Sequence, residues 1–161
     1  MKNNGSRPQG PVPQARQNDD GTFEALRDGR VDLDFLTTSP HFALTLNARP
    51  EALFGRIERD VVIKADIRDW RFLRLKSVTP DVPATDRHFL IGYRGNDLYM
   101  TSHLEVIDLE QHLVRTANSH YRLAGDPGDD NLPIHLLLHI SWCFDNWGWG
   151  KTLGTRLQVF Y

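Results

Sequence analysis

The fold class follows from residues 88–123, which read HFLIGYRGNDLYMTSHLEVIDLEQHLVRTANSHYRL. Phe89, Ile91 and Tyr93 recur at every second position, which is the period of a strand with one buried face. Turn residues follow at Gly95 and again after Ile107. The two returning strands are expected over residues 98–107 and 113–123. The stretch therefore predicts a three-stranded antiparallel meander.

Strand patterns also occur on both sides of this meander. Alternation, or enrichment in β-branched and aromatic residues, predicts further strands over residues 31–35, 42–46, 61–67, 70–78 and 152–161. The predicted fold class is β-rich α+β, with an antiparallel sheet of about six strands that is bent or partly barrel-like.

One long helix is expected near residues 131–144. Asp130 or Asn131 can cap it, Pro133 suits its first turn, and apolar residues leave little polar face. We therefore expect a buried helix packed on the sheet, although a short apolar run also suits a strand. One or two short helices are predicted elsewhere, over residues 22–28 and 50–59.

Composition predicts a disordered N-terminal tail over residues 1–20 and a single globular domain over residues 21–161. The chain has 161 residues and a net charge of -2, and its first 21 residues contain no Leu, Ile, Phe, Trp or Tyr. Such a segment cannot bury enough apolar surface to offset its ordering entropy. A single cysteine, Cys143, excludes an intramolecular disulfide and suits a reducing compartment, so we expect a cytoplasmic protein.

A candidate metal site lies in the predicted helix. His135, His139 and Cys143 are spaced at four residues, so a helix projects all three from one face. Imidazole and thiolate together suit zinc, but a fourth ligand is missing, as is the glutamate of an H-E-x-x-H motif. No cofactor is therefore expected, with zinc as the alternative.

Aromatic residues concentrate near the C-terminus, where Trp147, Trp149 and Tyr161 could stack on a partner if they are exposed. Otherwise they belong to the core. We expect Trp149 to be buried and Trp147 to be partly exposed, because glycines on both sides of Trp149 permit a tight turn.

A basic strand is the third candidate. Arg71 and Arg74 are interleaved with Phe72 and other apolar residues, a pattern that could follow a phosphate backbone. Charged residues on an edge strand also serve to discourage aggregation, so this pattern has a purely structural explanation as well.

The function that these patterns favour is binding without catalysis. A protein partner would be contacted through a sheet face or through the aromatic C-terminal segment, with no role for a membrane. A small accessory or inhibitory protein of a bacterium or phage fits this description. The alternatives are a metal-dependent enzyme that uses His135 and His139, and a weak nucleic-acid-binding module.

Overall fold

The computed structural model describes residues 39–153. The predictions for the tail over residues 1–20, the helix over 22–28, the strand over 31–35 and the side chain of Tyr161 lie outside these residues. The chain divides into two units, one formed by His41–Asp130 and the other including residues 39–40 and 131–153. The predicted single domain over 21–161 extends beyond the described residues and stays a prediction.

Six strands and a 3-10 turn make up the unit His41–Asp130. The strands are β1 (Phe42–Leu46), β2 (Ile63–Ser77), β3 (Asp86–Arg94), β4 (Asp97–Asp108), β5 (Leu113–Thr116) and β6 (His120–Ala124). Each is hydrogen-bonded to the next in chain order, and β6 also pairs with β2. This second pairing closes β2 to β6 into a five-stranded barrel.

The prediction of a wholly antiparallel sheet is wrong, because β2 and β6 run parallel. Five strands that alternate in direction begin and end with strands of the same direction. Closing them into a barrel therefore creates one parallel pair. The expectations of a strand-rich chain and of a bent, barrel-like sheet are confirmed.

The two strands predicted over residues 61–67 and 70–78 are one strand, β2. Its pairing with β3 shifts register between Arg68 and Arg71, and Asp69 has a φ of 53°. A bulge of this kind inserts a residue and breaks the alternation of buried and exposed side chains. The interrupted pattern therefore resembled two strands.

The third strand of the predicted meander is divided in two. Residues 117–118 form a turn between β5 and β6, across which the N–H of Thr116 donates to the carbonyl of Ser119 at 2.9 Å. The hydroxyl of Thr116 accepts from the N–H of Ser119 at 3.1 Å. Residues 88–123 thus contribute four strands rather than three. Asn118 was the local turn signal that our prediction passed over.

The helix predicted over residues 50–59 is also wrong, since only Glu51–Leu53 form a 3-10 turn. The chain then runs beside β4, where Phe54 forms a bridge with Ile107 and the N–H of Gly55 donates to the Ile107 carbonyl at 2.9 Å. Pairing with a strand replaces the helical hydrogen bonds that Gly55 already made less favourable.

The long helix predicted near residues 131–144 is confirmed as α1 (Ile134–Asn146). Only one side is buried, including Leu136, Leu137 and Ile140, while His135 and Trp142 are exposed. A short helix α2 (Gly150–Leu153) follows, so the strand predicted from residue 152 does not begin there. In the described part of the chain, neither helix has the length and apolar character needed to cross a membrane.

The barrel interior is apolar. Its buried side chains come from all five barrel strands and are those of Ile67, Trp70, Phe72, Leu90, Leu104, Ile107, Val114, Tyr121 and Leu123. This core explains why buried and exposed residues alternate along the strands, since each strand directs every second side chain inward.

Candidate functional site

The candidate site lies where one edge of β2 changes its partner. Residues 63–68 of β2 pair with β6, whereas residues 73–77 pair with β1. Between them, the Trp70 carbonyl accepts from the N–H of Gly128 at 3.0 Å, and the Phe72 carbonyl accepts from the N–H of Asn47 at 2.9 Å. The end of β1 and the loop after β6 thus both reach β2, and a groove remains between them.

This β2 groove is lined by residues 46–48, 70–72 and 127–130 and has a volume of about 190 Å³. Trp70 and Phe72, which contribute to this lining, belong to the barrel core, and their ring centroids lie 5.4 Å apart. The indole N–H of Trp70 donates to the Gly125 carbonyl at 3.0 Å, and this bond connects Trp70 to the loop after β6. The groove is therefore formed by hydrogen-bonded backbone before anything binds.

Arg71 lies at the floor of the β2 groove with only 6% of its side chain exposed. Its Nε donates to the Asp129 carbonyl at 2.7 Å, and its Nη1 donates to the Asp69 carbonyl at 3.1 Å. The guanidinium also lies against Gly128, where a Cβ would stand 2.6 Å from both Nη atoms. A Cβ at position 128 would displace the guanidinium, so glycine suits this close approach.

Asn47 connects the groove to a buried histidine. Its Oδ1 accepts from the N–H of Arg49 at 3.1 Å, which orients the amide and leaves Nδ2 to face His88 Nε2 at 3.2 Å. Nε2 must then be the acceptor, so His88 is neutral in this arrangement. Burial lowers the pKa of His88, and the positive charge of Arg74 lowers it further, against an opposing effect of Asp86.

Arg74, the second arginine of the predicted basic strand, is paired with a carboxylate. Its Nε and Nη2 bond the two oxygens of Asp86 at 2.9 and 2.8 Å, a forked pair that lowers the pKa of Asp86. With Arg71 buried and Arg74 paired, the two residues do not form a common basic surface. The proposal that they bind a phosphate backbone therefore gains no support from their placement.

The predicted metal ligands are on α1, and two of them are close together. Cys143 Sγ lies 3.5 Å from His139 Nε2, whereas His135 is exposed one turn earlier. Burial raises the pKa of the Cys143 thiol to about 11 and lowers that of His139, so the thiol stays protonated at neutral pH. Within residues 39–153, no group of three or more His, Cys, Asp or Glu side chains is placed to hold a metal ion.

Trp147 and Trp149 follow the end of α1. Trp147 is 41% exposed and packs its edge on Phe144, with ring centroids 5.9 Å apart. Trp149 is half-buried, and its backbone N–H donates to the Phe144 carbonyl at 2.8 Å. A second exposed indole, that of Trp142, stacks on His139.

Sequence reasoning identified Arg71 but missed the residues that surround it. Asn47, Trp70 and Phe72 looked like ordinary strand residues, and residues 125–130 looked like an ordinary loop. The pair Pro127–Gly128 between acidic residues was the local signal, since such a turn lets a backbone approach a side chain closely. Asp129, which accepts the hydrogen bond from Arg71, lies 58 residues away along the chain, and no local pattern shows such a contact.

Comparisons of the chain with protein-family models, with curated proteins and with solved structures find no match.

Proposed function

We propose that this chain is a non-enzymatic binding protein whose β2 groove receives a side chain of a protein partner. The observation that carries the proposal is the groove itself, which lies where the edge of β2 passes from β6 to β1. Binding sites are usually concave and carry a small number of precisely placed polar groups. Asn47 and Arg71 supply such groups here.

The size of the groove favours a side chain over a larger ligand. Small-molecule sites usually enclose about 300–1,000 Å³, whereas the β2 groove has about 190 Å³. Its walls are held by the bonds of Asn47 and Gly128 to β2. A preformed site of this kind needs little ordering when a partner binds, which favours affinity.

Filling the groove tests the proposal. Ala48 is exposed at the rim, so Ala48→Trp should occupy the groove with little effect on the core. Val62→Trp is the matched control, because Val62 is 85% exposed and does not line the groove. Tagged forms of both variants and of the wild type would be purified from cells that naturally express the protein, and the retained proteins compared.

We expect the wild type and Val62→Trp to retain the same partner and Ala48→Trp to lose it, with thermal unfolding showing that all three are folded. Retention of that partner by folded Ala48→Trp would contradict the proposal. So would the absence of any retained protein with the wild type.

A further inference from the structure

The guanidinium of Arg71 is buried but incompletely paired. A guanidinium group carries five N–H donors and a positive charge. In the described part of the chain, two of these donors make hydrogen bonds, both to backbone carbonyls. The nearest anion is the Asp129 carboxylate, whose Oδ1 is 3.6 Å from Nη2, beyond hydrogen-bond distance.

Asp129 is a weak counter-ion for this buried charge. Its side chain is 81% exposed, so water screens its attraction for the guanidinium. Arg74 shows what a complete pair in this fold looks like, with both Asp86 oxygens within 2.9 Å. A buried charge is costly unless it is paired and hydrogen-bonded, and Arg71 faces a groove where a further partner fits.

We infer that the partner side chain that enters the β2 groove is acidic, a glutamate or an aspartate. Its carboxylate accepts from those N–H groups of Arg71 that make no hydrogen bond within the described residues, in place of the Asp129 side chain. Arg–carboxylate pairs are frequently bidentate and among the stronger hydrogen-bonded contacts. This inference rests on the proposed function, because it names the chemistry of the same site.

Small probes test the charge requirement without the partner. The glutamate probe is N-acetylglutamic acid α-amide, whose only charge is the side-chain carboxylate, and N-acetylglutamine amide is its neutral counterpart. Binding is followed through the indole N–H signal of Trp70 in heteronuclear NMR spectra. We expect a saturable shift with the glutamate probe and at least about tenfold weaker association with the neutral one.

Two substitutions should act in opposite directions. Arg71→Gln should weaken association of the glutamate probe by at least about tenfold. Asp129→Asn should strengthen it about threefold, because it removes the competing negative charge. Arg122→Gln is the control, since Arg122 is half-exposed, pairs with Asp66 and does not line the groove. Asp129→Asn changes an exposed side chain, so it tests the inference even if Arg71→Gln does not fold.

Three results would overturn the acidic assignment. These are the absence of a saturable shift with the glutamate probe, equal binding of the neutral probe, and weaker binding after Asp129→Asn. If glutarate binds about tenfold or more tightly than the glutamate probe, the occupant of the groove is a free organic acid and not a side chain of a protein. Loss of the partner from Ala48→Trp is measured separately, so failure of the charge requirement can be told apart from failure of the groove as a site.

Discussion

Gly92 of β3 lies directly against the backbone of Arg68 in β2, where a Cβ would stand 2.6 Å from the Arg68 carbonyl oxygen. The same Cβ would lie 2.7 Å from Cγ2 of Ile67, a fully buried barrel residue. This contact is next to the β2 bulge, where the pairing of β2 with β3 shifts register between Arg68 and Arg71. Glycine at position 92 is therefore required for the close approach of β3 to β2 beside the bulge.

The first prediction concerns this contact. Gly92→Ala should lower the free energy of unfolding by about 2 kcal/mol or more, because neither a backbone carbonyl nor a packed isoleucine can move away cheaply. Urea denaturation would measure the loss. Gly95→Asn is the comparison, since position 95 has open space and a φ of 61°, which asparagine tolerates. Similar stability of the two variants would show that β2 and β3 separate easily at the bulge.

The second prediction concerns Asp108, a buried carboxylate at the end of β4. Its Oδ2 accepts from the N–H of Ile57 at 2.9 Å and from Gln111 Nε2 at 2.7 Å, and its Oδ1 accepts from the N–H of Gln111 at 3.1 Å. Burial alone would raise the pKa of Asp108, but these hydrogen bonds outweigh it and lower the pKa.

We expect Asp108→Asn to cost about 2 kcal/mol at pH 7, because an amide nitrogen replaces one of the accepting oxygens. A lowered folded-state pKa gives stability that is present above the unfolded value of about 3.9 and is lost as pH falls through the folded value. The difference in the free energy of unfolding between wild type and Asp108→Asn should thus decrease below about pH 4. Urea titrations over pH 3–7 would show it, with Asp97→Asn as an exposed control. A gap that stays constant with pH would mean that charge is not what stabilises this turn.

The third prediction concerns His88, whose pKa is lowered mainly by burial. Below its ordinary pKa of about 6.5, the unfolded chain takes up a proton that folded His88 resists, so stability falls as pH decreases. His88→Gln removes this titration while keeping an acceptor for Asn47. We expect the variant to lie within about 1 kcal/mol of wild type at pH 7.5.

The stability advantage of wild type over His88→Gln should then decrease between pH 7.5 and pH 5.5, as followed by chemical denaturation. His139 shifts in the same direction but is present in both proteins, so its contribution cancels. An advantage that grows on acidification would show that folded His88 holds its proton more tightly than the unfolded chain does.

The fourth prediction separates the aromatic C-terminal segment from the groove. Trp147→Ala should cost about 1 kcal/mol, the value of its edge contact with Phe144. Leu136→Ala should cost about 2–5 kcal/mol, because Leu136 is fully buried. Thermal unfolding would compare them. A partner that binds through the groove should be retained by Trp147→Ala, and its loss from a folded variant would place the binding surface at this indole instead.

Much of the secondary structure was predictable because it depends on local periodicity. Phe89 and Ile91 were expected to be buried in a strand, and both are. The helix near residues 131–144 was expected from its apolar content and from Pro133. Errors occurred where tertiary contacts changed a local pattern, as at the Arg68–Arg71 bulge, or where backbone pairing replaced a helix, as at Gly55.

The candidate site was predictable only as a single residue. Arg71 was selected because arginines alternate with apolar residues in its strand, and Arg74 was selected for the same reason. Local sequence does not distinguish the two. Their difference arises from residues distant in the chain, since the loop at Gly128 covers one and Asp86 pairs with the other.

By itself, the sequence determined that the chain is strand-rich and that one long helix lies near residues 131–144, because side-chain period reports burial. Only the tertiary structure decided that β2 pairs with β6, that its edge then passes to β1, and that Arg71 lies in the groove between them. The physical reason is that strand edges pair through backbone N–H and carbonyl groups, which every residue except proline carries alike. The choice of edge is therefore set by closing the barrel around a common core.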